Sequence, residues 1–153
     1  MLETADPRPE SLSKISGRSK EEVEIELSEL LESETLLGWM PIINPAKAGS
    51  EDVRAVIEVR ITPEREGGFD RIALRIAKFD EVESCYLMSG GYDLLVFVTG
   101  KTLNSVATFI SERLATIEGV LSTATHFLLR PYKEQNHLLV EGENQVEKPP
   151  VSP

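Results

Sequence analysis

The chain has 153 residues, 41% hydrophobic and 27% charged, enough for one full domain with a small appendage. A formal net charge of −10 opposes nucleic-acid binding by bulk charge, and an aromatic content of 6% offers little for a base-stacking platform. Cys85 is the single cysteine, which excludes an intrachain disulfide and a cysteine zinc cage, and no apolar run approaches the roughly 20 residues that span a bilayer.

The first residues, Met1 to Ser11, lack the apolar stretch of a secretory signal, so a reducing cytoplasm is the expected location. Residues 1–10 read as a polar lead-in. A short helix is expected from Pro9, stopped at Gly17. Ser19 then has the character of an N-cap, with Glu22 completing a capping box, and Val23, Leu27, Leu30 and Leu31 recur at helical spacing. The spacing predicts a helix over residues 20–32, and the pair forms a helix-turn-helix pattern. Leu36 to Pro45 reads as extended, with Pro41 confining it to a sheet edge or a connecting arm. Lys47 to Asp52 is the expected boundary with the main domain.

There, Val53, Ala55, Ile57, Val59 and Ile61 alternate with polar residues as a strand does. Phe69, Ile72, Ala73 and Ile76 make a helical stripe. Val82 to Ser89 and Tyr92 to Thr99 read as two strands joined by a tight Gly90-Gly91 hairpin. Leu103, Val106, Ala107, Ile110 and Leu114 make a second helical stripe, and Leu121, Thr123, Thr125, Phe127 and Leu129 alternate as a last strand. The order βαββαβ predicts an α+β, ferredoxin-like arrangement with both helices on one face of an antiparallel sheet. The other face retains apolar positions, which a homodimer stacking sheet on sheet would cover. Beyond Tyr132 the pattern fails, and residues 134–153 are expected to form a mostly disordered tail.

The chemistry-bearing residues are sparse. In the expected strand order 4-1-3-2, Cys85 and His126 lie on opposite edges, three spacings of about 4.8 Å or roughly 14 Å apart, too far for a catalytic pair. His137 lies in the tail, so no metal site is expected. Gly100-Lys101-Thr102 lacks the earlier glycine of a phosphate loop, since Leu95 stands there; Thr102 reads as a helix cap. Gly67-Gly68 reads as a flexible loop before a helix, and Trp39 as a packing anchor. Tyr92 and Asp93 leave two readings open. Asp93 holds the turn through its side chain, or it joins glycine-freed amides and the hydroxyls of Thr123 and Thr125 in binding a zwitterion.

Three sets of residues then stand together: Gly90-Gly91-Tyr92-Asp93; Gly119-Val120-Leu121-Ser122-Thr123-Ala124-Thr125; and Leu36-Leu37-Gly38-Trp39 with Asn44-Pro45 and Gly49. At these spacings they resemble the motifs of the Lrp/AsnC family of transcriptional regulators, over about Pro9 to Lys133. The resemblance implies a partial winged helix-turn-helix and linker (1–46) before a ferredoxin-like RAM domain (47–133) that dimerises and often assembles further. It implies effectors that are amino acids or related small molecules, with contacts at Gly90, Tyr92, Asp93, Thr123 and Thr125, and no cofactor. The DNA-reading half departs from the family pattern. Only about eight polar residues precede the helix pair, and the second helix sets Lys20 against Glu21, Glu22, Glu24, Glu26, Glu29 and Glu32. Glu34 replaces a glycine, at about 1 kcal/mol if the position is left-handed. Arg18, Ser19 and Lys20 remain to meet a DNA backbone. Two functions follow: an amino-acid-responsive regulator that binds DNA as an oligomer, or a RAM-type ligand-binding assembly protein that has lost DNA binding. An enzyme would need a catalytic constellation that these residues do not supply.

Overall fold

The computed structural model describes residues 8–49, 51–62 and 68–140. The lead-in before Arg8, the Pro63 to Gly67 stretch and the tail beyond Val140 lie outside the described residues. The chain packs as two units, residues 1–42 and 43–153.

The first unit is a helix pair, α1 (Pro9–Ser16) and α2 (Lys20–Glu32). The capping box is formed: Glu22 N donates to Ser19 Oγ at 3.2 Å and Ser19 N donates to Glu22 Oε2 at 2.9 Å. Val23 is buried, with Leu27 and Leu30 half-buried beside it, while Leu31, expected on the same face, is 49% exposed. At the end of α2 Glu34 is left-handed, φ 54°, with its N–H donating to Leu31 O and that of Leu36 to Leu30 O. Leu36 to Ile43 then runs extended, pairing with no strand among the described residues.

The second unit begins with a single turn, α3 (Pro45–Ala48), capped by Asn44. It continues as β1 (Val53–Ile61), α4 (Asp70–Ala77), β2 (Val82–Leu87), β3 (Leu94–Gly100), α5 (Leu103–Phe109) and β4 (Val120–Phe127). The strands form one antiparallel sheet in the order β2-β3-β1-β4, the ferredoxin-like arrangement. Ile57, Val59, Leu94 and Val96 are fully buried on one face, under Ile72 and Ile76 of α4 and Leu114 beyond α5. Residues of opposite parity make the other face: Val56 lies opposite Phe97 and His126, and Glu58 opposite Leu95 and Ala124. Tyr86 packs edge-on to Phe97 there, 6.1 Å between centroids. Among the described residues no helix of the second unit packs on this open face, and its apolar members remain half-buried or exposed.

Local sequence patterns misplace five features. Leu121 is not on the threonine face. Ile61 pairs with Val120 and Arg60 with Ser122, so Leu121 is the extra residue of a bulge and is 68% exposed. Leu129, past the strand end, is 95% exposed. The helix after Thr102 passes into a π turn over Ile110–Leu114, where Ala115 N donates to Ile110 O. That turn brings Phe109 and Ile110 into the core together and leaves Leu103 and Ala107 exposed. The connection between β2 and β3 is wider than a two-residue turn, because Asp93 is drawn onto β1. Order also extends past residue 133: β5 (Lys133–Glu134) and β6 (His137–Leu138) form a ribbon turned by Gln135 and Asn136, both at positive φ. Asn44 Nδ2 donates to Leu139 O at 2.9 Å, tying that ribbon to the start of the unit. The expected tail is therefore corrected for residues 134–140.

Gly119 precedes β4 at φ 94°, and a Cβ there would lie 2.5 Å from Ile72 Cδ1. Only glycine satisfies both the backbone and the packing against α4.

Candidate functional site

The residues expected to contact an effector gather around one end of the sheet. Met88 N donates to Asp93 O at 2.8 Å and closes a loop over Ser89 to Tyr92. Gly90 adopts φ 143° with open space where a Cβ would stand, so the demand for glycine there is conformational. Tyr92 and Asp93 are half-buried.

Asp93 is fixed by the neighbouring strand. Its N–H donates to Val59 O at 3.0 Å, and its Oδ2 accepts from Ile61 N at 2.9 Å. A side-chain oxygen thus replaces a main-chain acceptor where the β1–β3 ladder ends, beside the β4 bulge. The turn-holding reading describes this oxygen. Thr123 and Thr125 lie opposite Val59 and Ile57, on the helix-covered face, and both are half-buried. Leu94, Val59 and Thr123 form one row, placing Thr123 about 10 Å across the sheet from Leu94, with Thr125 a further ~7 Å along its strand. Asp93 and Thr123 therefore flank β1 at the same end, and Thr125 sits further in.

The three residues assigned to DNA lie at the start of α2, exposed and already partnered. Arg18 pairs with Glu26, and Ser19 is spent in the capping box. Lys20 Nζ lies 2.7 Å from Glu10 Oε1 and 3.6 Å from Glu24 Oε1. The hydrogen bond from Lys20 and its charge lower the Glu10 pKa, and the same contact raises that of Lys20. A phosphate has to compete with these carboxylates, although ion pairs this exposed are weak and screened by salt.

The remaining motifs resolve structurally. Cys85 Sγ faces Ala73 O at 4.0 Å beneath α4, and burial pushes its thiol pKa up. His126 is on the far edge strand and the opposite face, 3.3 Å from Glu58 Oε1. Thr102 caps α5 reciprocally with Ser105, and Lys101 Nζ pairs with Asp52 Oδ1 at 2.8 Å. Among the described residues no His, Cys, Asp and Glu side chains gather in a group that could hold a metal ion, and no helix is long and apolar enough to cross a membrane. Sequence reasoning missed Asn44 and Arg130, which shape a concavity at the other end of the sheet. The signal for Asn44 was present in Asn44-Pro45, read only as a linker motif.

Comparison with known proteins agrees with this architecture. Residues 54–138 match the family model of the Lrp/AsnC ligand-binding domain. The chain is 40% identical over 136 residues, 88% of its length and 82% of the relative's, to YugG of Bacillus subtilis, an uncharacterised HTH-type transcriptional regulator. It is 28% identical over 123 residues, 80% of this chain and 78% of the other, to a proline dehydrogenase transcriptional activator of Rhizobium radiobacter. In fold it is similar to E. coli AsnC, with a TM-score of 0.64 at 18% identity, covering 86% of this chain and 87% of that one. It is also similar to a Neisseria meningitidis transcriptional regulator in complex with L-Met, with a TM-score of 0.65 at 21% identity, covering 82% and 80%. A ferredoxin-like ligand-binding unit behind a helix pair defines the class, and the chain belongs to the Lrp/AsnC family of transcriptional regulators.

Proposed function

We propose that this regulator senses an amino acid or a related small molecule through its second unit and binds DNA as an oligomer. The observation that carries the reading is the ligand-binding-domain match over residues 54–138, which takes in both helices and all of the four-stranded sheet but its first residue. The effector class is supported by the L-Met complex of the Neisseria regulator and by the name of the Rhizobium activator. Residues 43–140 form the effector and assembly domain, slightly wider than the motifs alone suggest, and the helix pair before it is the DNA-contacting unit. The site is the cytoplasm.

In this reading Gly90, Tyr92, Asp93, Thr123 and Thr125 supply half of a binding site that another copy completes. Asp93 has one oxygen on Ile61 N and offers the other to an ammonium group, while the threonine hydroxyls serve a carboxylate. The open sheet face, with Val56, Tyr86, Leu95 and Phe97, is the surface a second copy covers. Arg18, Ser19 and Lys20 meet the DNA backbone. The test is light scattering of the full chain against a panel of L-amino acids. At least one should shift the assembly mass, and a folded chain indifferent to the whole panel contradicts the sensing half.

A second reading has its own support. The carboxylates around Arg18 and Lys20, and six glutamates on α2, favour a RAM-type assembly protein without DNA binding.

A further inference from the structure

Charge in this acidic chain is sorted by helix. The net charge is −10, yet Asp70 is the one acid of α4, whose outward face carries Leu74 and Arg75 and continues to Lys78 at the C-cap, all three exposed. Arg71, one turn earlier, is already engaged. Arg75 and Lys78 have no side-chain ion pair or hydrogen bond among the described residues. Their place in and just past the last turn suits the helix dipole, which accounts for the two charges. It does not account for Leu74, which is 62% exposed beside them.

The outward face of α2 has the same spacing with the opposite sign. Glu22, Ile25, Glu26 and Glu29 stand at i, i+3, i+4 and i+7, as do Arg71, Leu74, Arg75 and Lys78. Ile25 is 61% exposed, and with Arg18 these four residues of α2 line an open concavity of about 520 Å³. Glu22 serves the N-cap and Glu26 holds Arg18, whereas Glu29 has no side-chain partner among the described residues. Toward the end of α2 Glu29 and Glu32 stand with no basic residue in the last turn, where the dipole disfavours acids. Local helix chemistry therefore gives no reason for them. Each stripe runs over seven residues, roughly 10 Å, with its one apolar side chain at the same step.

We propose that the Leu74 face of α4 docks the Ile25 face of α2 from a second copy of this chain. Ile25 and Leu74 meet at the centre and lose water, while Arg75 and Lys78 stand among Glu22, Glu26 and Glu29 in a salt-sensitive rim. Charge complementarity at matched spacing selects this occupant, since α2 supplies the acids that α4 lacks. The two surfaces differ, so the contact is heterologous and can link one pair of copies to the next. It rests on the reading that the chain assembles, and it is separate from the open sheet face.

The test is light scattering of the full chain over a dilution series at about 0.1 M salt. Glu26→Lys with Glu29→Lys, and Arg75→Glu with Lys78→Glu, should each raise the midpoint concentration of assembly at least about tenfold. An equimolar mixture of the two variants should restore it. The reversed α2 of one then meets the reversed α4 of the other, and their unreversed helices also match. Mixing does not repair a folding defect. Leu74→Ser, at a solvent-facing position, should raise the midpoint as well. Double variants or a Leu74→Ser chain that assemble like the parent overturn the contact, and so does a loss that mixing fails to restore. Loss of DNA binding by Arg75→Glu with Lys78→Glu at unchanged assembly assigns α4 to phosphate and also overturns it. A parent that stays monomeric throughout removes the assembly reading along with the contact, whereas an assembling parent with parent-like variants removes the contact alone.

Discussion

Asp93 has two demands on one carboxylate, and substitution separates them. Removing the side chain leaves Ile61 N–H without its acceptor in a half-buried place, so Asp93→Ala should cost about 1–3 kcal/mol in urea unfolding. Asp93→Asn keeps an oxygen for that N–H and removes the charge. It should unfold within about 1 kcal/mol of the parent yet lose the amino-acid-dependent change in assembly mass. An Asn variant that responds like the parent would confine Asp93 to holding the sheet. Gly119 is a purely structural counterpart. Its positive φ and the 2.5 Å approach to Ile72 Cδ1 predict that Gly119→Ala destabilises by about 1–3 kcal/mol, read in the same unfolding experiment. The motif residues were visible in the sequence, but these reasons were not. Both arise from contacts with residues more than thirty positions away, Ile61 and Ile72, that no local pattern announces.

At the scale of elements, what was legible is what depends on neighbours in the chain. The alternation of β1, the capping box at Ser19 and the cap at Thr102 follow from short-range sterics and hydrogen bonding, whereas the left-handed Glu34 was legible only through the family resemblance. The bulge at Leu121 and the π turn after Phe109 do not, because each shifts parity to satisfy packing across the sheet. The ribbon of β5 and β6 escaped because Gln135-Asn136 is a weak turn signal between polar strands, and its tie to Asn44 spans 95 residues. Replacing Glu34 with glycine should relieve its left-handed strain, raising the stability of α2 by up to about 1 kcal/mol, less glycine's entropy in the unfolded chain; thermal unfolding by circular dichroism reads the gain. The α1–α2 contact has a pH signature. Glu10 is lowered, so its contribution is lost as pH falls through its folded pKa; Lys20 is raised, so its contribution is lost as pH rises through its own. The contact is complete near neutrality and, being exposed, weak and salt-screened. Amide protection in α1, taken relative to the intrinsic exchange rate at each pH, should fall at acid pH, and Glu10→Gln should show that lower protection already at neutral pH.

For the whole molecule, the two units are unequally equipped. The second unit buries a continuous core between its sheet and helices, whereas Val23 alone is buried among the described residues of the helix pair. The open face of the sheet should set the assembly. A charge at its centre, as in Phe97→Glu, faces away from the core and should cost at least about 2 kcal/mol of association, shifting light scattering toward the monomer. An unchanged mass would place the interface elsewhere. The regulator reading depends finally on whether α2, with its glutamates, still meets DNA. The direct measurement is a titration of the full chain with DNA from its own upstream region at several salt concentrations. With Arg18 and Lys20 of each protomer in a dimer meeting one phosphate apiece, log K should fall against log salt with a slope of roughly −3.6, with sequence preference. No binding even at about 50 mM salt, by a chain that still assembles, would contradict the account and leave a sensor without a DNA partner.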